Sequence, residues 1–296
     1  MVWTKRRWAA AALVALALTS SAAPAASADP VQQFAVQLKD LKADGSYSVV
    51  YTSNAFDTSG GPPPALAEAH MRLAKGMTVR PQFLKPDRLC DTSKYVGFMF
   101  QNRPKGISYH QMVDGFPLGK YPIKKRLPKV VREVMSTCRD AYIGAGSTVV
   151  DARPLYPQSI PAKFTLYLTK PTAKGALFGI GVVSHYDKKS PIAVNELRYM
   201  LLQPVFTLNV FDDPTPDGKY GYRIRLLTER TSGFRFSIAE LRAEGKGIRS
   251  KRSGRFWADP PRCPASGKVP FKAEYSYVTG LKTTTAVEVP CPRFRR

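Results

Sequence analysis

The sequence predicts an all-β protein, an antiparallel β-sandwich with one short helix near residues 128–137. Two observations carry the prediction. Short segments alternate apolar with polar residues, which is the period of a strand that buries one face. Between them lie turn sequences such as Asp44-Gly45, Gly60-Gly61-Pro62 and Asp217-Gly218. About a dozen strands at this spacing are typical of a sandwich rather than of a parallel α/β sheet.

The alternation is clearest in residues 66–73. Ala69, Met71 and Leu73 fall on one face, and Glu68, His70 and Arg72 fall on the other. β-branched and aromatic residues make such segments half-buried antiparallel strands. The same period of two recurs in residues 163–169, 220–226, 234–238 and 283–289.

One segment breaks this pattern. Val130, Val131 and Val134 stand at helical spacing, and Pro128 suits the first turn of a helix. The sequence therefore predicts a short helix over residues 128–137, which ends just before Cys138.

The first 28 residues predict a secretory signal peptide. Three basic residues, 5–7, precede an apolar stretch at residues 8–18 and an Ala26-Ser27-Ala28 cleavage site. The apolar stretch is too short to span a bilayer, and no transmembrane segment is expected after cleavage. We expect a secreted or wall-associated protein whose residues 29–296 form a single domain. Two sandwich lobes that divide near residues 187–204 are the alternative.

The mature chain holds four cysteines, Cys90, Cys138, Cys263 and Cys291. An even number in a secreted chain favours two disulfides, for which three connectivities are possible. Sequential pairing is preferred because each bridge then closes a local segment. A four-cysteine zinc site would need short C-x₂₋₄-C spacings, and the sequence has none.

The order of these features resembles a group of uncharacterised secreted proteins from high-GC actinobacteria. The shared features are the turn at residues 60–65, a short helix between the first two cysteines, the A-x-x-G-x-G pattern at residues 141–146, and the pairs Cys263-Pro264 and Pro290-Cys291. The resemblance implies an extracellular β-sandwich with two disulfides. It implies no substrate.

Motifs for known chemistry are scarce. The sequence lacks a G-x-S-x-G elbow, a phosphate-binding glycine loop and an H-E-x-x-H pair. Gly179 and Gly181 lack the third glycine of a dinucleotide site, and they indicate a strand crossing where a side chain would not fit. We interpret His70 and His110 as surface residues, and His185 as a residue of a turn or strand end.

Acidic residues offer two further possibilities. A glycan hydrolase needs two carboxyl groups that flank a sugar bond, and Glu196, Glu240 and Glu274 stand in strand-like contexts. Asp212, Asp213 and Asp217 form an acidic loop that could bind Ca²⁺ weakly, although an ordinary turn is the preferred interpretation. No other cofactor is expected.

The net charge is strongly positive. The chain has 45 Lys and Arg against 22 Asp and Glu, a net charge of +23, and removal of residues 1–28 leaves +20. Such a charge suits an anionic wall polymer or another extracellular polyanion, although it could also serve only solubility. No specific nucleic-acid motif occurs, and nothing indicates an oligomeric state. The candidate anion-binding residues are Lys120, Lys124, Lys125, Arg126, Lys129, Arg132, Lys251, Arg252 and Arg255.

Taken together, these features predict a secreted, non-catalytic binding or structural module of the cell surface. The alternative is an extracellular glycan hydrolase that uses paired strand carboxylates.

Overall fold

The structure is a computed structural model that describes residues 31–39, 47–57, 61, 63–77, 79–80, 84–91, 138–151, 160–186, 205–227, 237–246, 258–259 and 262–291. These residues form eleven strands and two short 3₁₀ turns, Pro86–Arg88 and Arg139–Ala141. The strands are β1 Val31–Lys39, β2 Ser48–Phe56, β3 Leu66–Ala74, β4 Tyr142–Asp151, β5 Ile160–Thr169, β6 Phe178–Tyr186, β7 Val205–Asp212, β8 Tyr220–Leu227, β9 Ser237–Lys246, β10 Lys268–Tyr277 and β11 Lys282–Pro290.

All eleven strands belong to one antiparallel sheet, in the order β1-β2-β9-β4-β5-β6-β7-β8-β3-β10-β11. The sheet curls until its two outer strands meet, so that it is nearly closed into a barrel. Because neighbours alternate in direction and the number of strands is odd, β1 and β11 run parallel. No backbone ladder joins this pair in the part of the chain that the structure describes.

Side chains close the seam between β1 and β11 instead. The Tyr277 hydroxyl donates to Gln32 Oε1 at 2.6 Å, and the Thr285 hydroxyl donates to the Gln32 carbonyl at 3.3 Å. The Gln32 amide in turn donates to Ser53 Oγ, which lies 3.0 Å from the Tyr275 hydroxyl. Burial raises the pKa of Tyr275 to about 12, so this hydroxyl remains a neutral hydrogen-bonding group.

The all-β prediction is confirmed, but the sandwich is not. Alternation shows which residues of a strand are buried, and it does not show whether the strands divide into two sheets or curl into one. The helix predicted at residues 128–137 lies outside the described residues. Residues 187–204 also lie outside them, and the strands on either side, β6 and β7, pair directly.

The core lies on the concave face of the sheet. One group of buried side chains centres on β4, β5, β6 and β7, and the other on β1, β3, β10 and β11. Tyr222 and Ile224 of β8 pack against both groups. The alternation predicted for residues 66–73 is confirmed, because Ala69, Met71 and Leu73 contact the second group.

The close crossing predicted at Gly179 is confirmed. A Cβ atom there would lie 2.4 Å from Thr169 Oγ1 and 2.6 Å from the Lys170 carbonyl oxygen. Since real Cβ atoms do not approach so closely, only glycine fits where β6 passes the end of β5.

Both disulfides have the sequential pairing. Cys90 pairs with Cys138 and Cys263 with Cys291, with Cα atoms 4.7 Å and 5.7 Å apart. Cys90 and Cys138 are buried, and they pack in the first core group beside Ile143.

A substitution at Phe271 tests this description of the core. It is fully buried on β10 and makes an edge contact with Tyr51, at 6.1 Å between ring centroids. We expect Phe271→Ala to lower the free energy of unfolding by about 3–5 kcal/mol, measured by urea denaturation. Val278→Ala is the control, because that side chain is 45% exposed. Similar losses for the two variants would contradict this description of the core.

The first disulfide makes a second prediction. Cys90→Ala and Cys138→Ala should each cost about 4 kcal/mol of unfolding free energy, the cost of opening a loop of this length. The double variant should lose no more than either single variant. Urea denaturation of all three would show this, and additive losses would contradict the pairing.

Candidate functional site

Each connection between strands lies at one of the two ends of the sheet. We call one of these ends the basic end. It receives the connections 40–47, 75–141, 170–177, 213–219 and 247–267, and the chain beyond β11. The opposite end receives residues 29–30 and the connections 57–65, 152–159, 187–204, 228–236 and 278–281.

The charge of the protein divides unequally between these ends. The segments attached to the basic end contain 26 Lys and Arg against 10 Asp and Glu, a net charge of +16. Those attached to the opposite end contain 6 Lys and Arg against 5 Asp and Glu, a net charge of +1. Most of the positive charge therefore belongs to chain segments that leave the sheet at one end.

The nine predicted anion-binding residues all lie outside the described residues, but their points of attachment are described. Residues 120–132 belong to the connection 75–141, and residues 251–255 belong to the connection 247–267. Both connections leave from and return to the basic end. The sheet thus brings to one end two basic segments that are far apart in the sequence.

The disulfides fix where these segments begin and end. The Cys90–Cys138 bridge holds the two ends of residues 91–137 together, with Cα atoms 4.7 Å apart. The Cys263–Cys291 bridge places the start of the arginine-rich tail beside the end of the second basic connection. Each of the three basic stretches is therefore joined at one end or both to a cysteine of a disulfide.

The described parts of the two connections also pack on each other. Val79 forms a β-bridge with Ala258, and Arg80 is paired with Asp259 at 2.6 Å. The buried Tyr47 hydroxyl lies 3.0 Å from the carbonyl oxygens of Ala258 and Asp259. Burial raises the pKa of Tyr47 strongly, so its hydroxyl remains a donor to these carbonyls. The base from which the basic segments extend is well packed.

A second polar feature, which we call the ion network, covers the outer face of β3, β8 and β10. Glu68 is paired with Arg225, and Asp213 lies 2.5 Å from Arg223 and 3.1 Å from Arg72. The network continues from Arg72 to Glu274 at 3.4 Å and from Glu274 to Lys272 at 2.6 Å. Its charged side chains are between 20% and 34% exposed, so solvent screens them incompletely.

His70 lies inside this network, and its neighbours determine which of its ring nitrogens carries the proton. Arg223 Nη1 lies 3.0 Å from His70 Nδ1, and Glu68 Oε1 lies 2.9 Å from Nε2. A guanidinium can only donate, so Nδ1 accepts and Nε2 carries the hydrogen that Glu68 receives. Desolvation lowers the pKa of His70, and although Glu68 opposes this shift, Arg223 and Arg225 add to it. The neutral imidazole is therefore the form that fits the hydrogen bonds to Arg223 and Glu68.

The network also holds two of the predicted acidic candidates. Burial alone would raise the pKa of Glu274 and of Asp213, but the neighbouring cations together lower both values, Lys272 with Arg72 beside Glu274 and Arg223 with Arg72 beside Asp213. Asp217 accepts hydrogen bonds from the Thr215 hydroxyl and the Lys219 amide, and Asp212 is exposed. Within the described ranges, no three His, Cys, Asp or Glu residues are grouped to hold a metal ion.

The described carboxylates of the hydrolase alternative are not brought together. Glu240 is exposed on β9 and Glu274 lies on β10, on the far side of β2, β1 and β11. Four strand spacings amount to about 19 Å, against the 5–9 Å or so that glycoside hydrolysis requires. Glu196, all of His110 and the side chain of His185 lie outside the described residues.

No family model, curated protein or solved structure matches the chain. The resemblance to secreted actinobacterial proteins therefore stays a prediction. Among the described residues, no helix is long and apolar enough to cross a membrane.

The ion network predicts how stability responds to acid. The unfolded chain binds a proton at His70 with a pKa near the ordinary 6.5, and the folded chain does so only at lower pH. Stability should therefore fall as the pH drops below about 6.5, because the unfolded state takes up the proton first. His70→Gln keeps a neutral donor and acceptor at this position. We expect it to remove this part of the loss, seen in urea midpoints at about pH 7.5 and about pH 5.

The comparison with the unaltered protein isolates the contribution of His70, since the two chains differ at no other position. The carboxylates of the network respond in a lower range, because their pKa values are held below 4.5. Equal pH dependence in the two proteins would contradict the position assigned to His70.

Proposed function

We propose that this protein is a secreted, non-catalytic module that attaches through its basic end to anionic polymers of the cell surface. The observation that carries the proposal is the unequal charge, +16 in segments attached to one end of the sheet against +1 at the other.

The distribution of charge favours binding over solubility alone. Charge that serves only to keep a protein soluble works best when it is interspersed over the surface with both signs. Here the excess belongs to segments that share one end, while the eleven strands together carry only +3. Positive charges gathered in this way attract an anionic partner in a defined orientation.

An extended polyanion suits this arrangement better than a small anion. The basic residues belong to several separate connections and a tail, so that contacts can form at many points along a polymer. Each contact releases counterions, and the sum of many weak contacts gives useful affinity. Salt screens exposed charges beyond about 8 Å under physiological conditions, which makes such binding reversible.

The cysteines support an extracellular setting. The two disulfides are of the kind that persists in oxidising compartments, and they agree with the leader that the sequence predicts. They also hold the ends of the basic segments, so that less conformational freedom is lost when a polymer binds.

The test is co-sedimentation of the mature protein with isolated cell walls across a salt series. We expect binding at about 50 mM salt that falls steeply by about 200 mM, by a factor of about 10³ if roughly six anionic groups are contacted. Walls stripped of their anionic polymers are the control and should not retain the protein. Absence of binding at every salt concentration, or binding that ignores salt, would contradict the proposal.

A variant in the first basic segment locates the binding. Replacing Lys120, Lys124, Lys125 and Arg126 by Ala removes four charges from a connection at the basic end. We expect weaker retention and a shallower salt dependence, measured in the same assay. The matched control replaces Lys188, Lys189, Arg198 and Arg230, which belong to connections at the opposite end. An equal loss for both variants would mean that total charge, and not its position, determines binding.

A further inference from the structure

We propose that Lys75, Lys219 and Arg262 form a phosphate-binding subsite on the basic end, one that receives phosphodiester groups of an extended polymer. This inference rests on the proposed function and gives it a defined site. The three residues come from three different connections, 75–141, 213–219 and 247–267.

Backbone hydrogen bonds hold the three positions together. The Lys75 amide donates to the Lys219 carbonyl at 2.9 Å, and the Arg262 amide donates to the Gly76 carbonyl at 3.2 Å. Lys75 is thus tied directly to one cation and, through its neighbour, to the other. The sheet itself fixes the arrangement, because Lys75 follows β3 and Lys219 precedes β8, and these two strands pair.

Two glycines allow the segments to approach this closely. A Cβ atom at Gly76 would lie 2.9 Å from the Arg262 amide nitrogen, and one at Gly221 would lie 3.2 Å from Lys75 Cα. The backbones are therefore in contact, and a side chain at either position would force them apart. Such contact keeps the bases of the three side chains in fixed relative positions.

The charges of the three side chains are available. All three are exposed, and within the described residues none of them has a carboxylate at ion-pair distance. The nearest acidic neighbour in the sequence, Asp217, accepts from the Thr215 hydroxyl and from the backbone amide of Lys219. It lowers the local positive charge without neutralising the group.

The second disulfide anchors the third cation. Arg262 directly precedes Cys263, whose bridge to Cys291 ties this connection to the end of β11. The Cys291 amide also donates to the Gly267 carbonyl at 3.0 Å. Arg262 therefore extends from backbone held by a hydrogen bond on one side and a covalent bond on the other.

The donor set favours phosphate. A guanidinium can bind two oxygens of a phosphate group side by side, and lysine ammonium groups act on phosphate as compact point charges. A phosphodiester carries its charge on two non-bridging oxygens and can accept from donors that approach from separate directions. A planar carboxylate is satisfied by one guanidinium alone, so three cations from three connections suit it less well.

The experiment measures binding of a fluorescent glycerol-phosphate oligomer to the mature protein by anisotropy. The triple variant Lys75→Ala, Lys219→Ala and Arg262→Ala should bind about tenfold more weakly, with a salt dependence shallower by about two released ions. The control variant Lys163→Ala, Arg242→Ala and Lys282→Ala loses the same charge from strand positions outside the basic end. It should bind within about twofold of the unaltered protein.

Two further arms make the inference specific. Asp217→Asn keeps the turn-forming side chain and removes its negative charge, so it should tighten binding of the oligomer. The second arm uses hyaluronate, a carboxylate polymer. The first triple variant should lose less affinity for hyaluronate than it loses for the phosphate oligomer. Equal losses for the two polymers would overturn the preference for phosphate.

The outcomes separate this inference from the proposed function. If the unaltered protein binds the oligomer in a salt-dependent manner and the two triple variants lose equal affinity, the subsite is wrong and the basic end remains the binding surface. If the unaltered protein binds neither the oligomer nor cell walls, both proposals are wrong. Urea denaturation of each variant ensures that lost binding is not lost folding.

Discussion

The antiparallel pairing of the eleven strands is the constraint on which the rest of the structure depends. Because every neighbour reverses direction and strands consecutive in the chain lie an odd number of places apart in the sheet, each connection leaves from and returns to the same end. This rule assigns each connection to an end whatever its own conformation. It turns a charge that looks diffuse along the sequence into a strong difference between two ends of one molecule. The disulfides, the Val79–Ala258 bridge and the buried Tyr47 then secure the end that receives the basic segments.

Local sequence predicts the strands whose one face is buried. Residues 66–73, 163–169, 220–226 and 283–289 all lie within observed strands, because apolar alternation reports burial directly. Strand β9 shows where this fails. The alternation predicts a strand over residues 234–238, whereas the described strand is Ser237–Lys246, which is rich in the alanine and glutamate that favour helices. Pairing with both β2 and β4 determines its conformation, and a local pattern does not contain those partners.

The same limit explains what the sequence reveals of the sites. The polar face of residues 66–73 is visible in the alternation, but Arg223 and Arg225 reach it only through the register of β3 with β8. Lys75 lies more than a hundred residues before Lys219 and Arg262, and the three meet only because their connections share an end. Which residues of one strand are buried and which are exposed can be predicted from composition and period. Groups formed by pairing need the topology, in particular the insertion of β3 between β8 and β10 and of β9 between β2 and β4.

The odd number of strands has a consequence for orientation. Since β1 and β11 run in the same direction, the first described strand begins at the end opposite to the one where the last strand finishes. The predicted cleavage site precedes β1, and the arginine-rich tail follows β11. A molecule held by its first residues, whether by a membrane during export or by a solid support, would have the last residue of β11 at the end of the sheet away from the point of attachment. A group fused after residue 296 would instead be joined to the end where the positive charge is gathered.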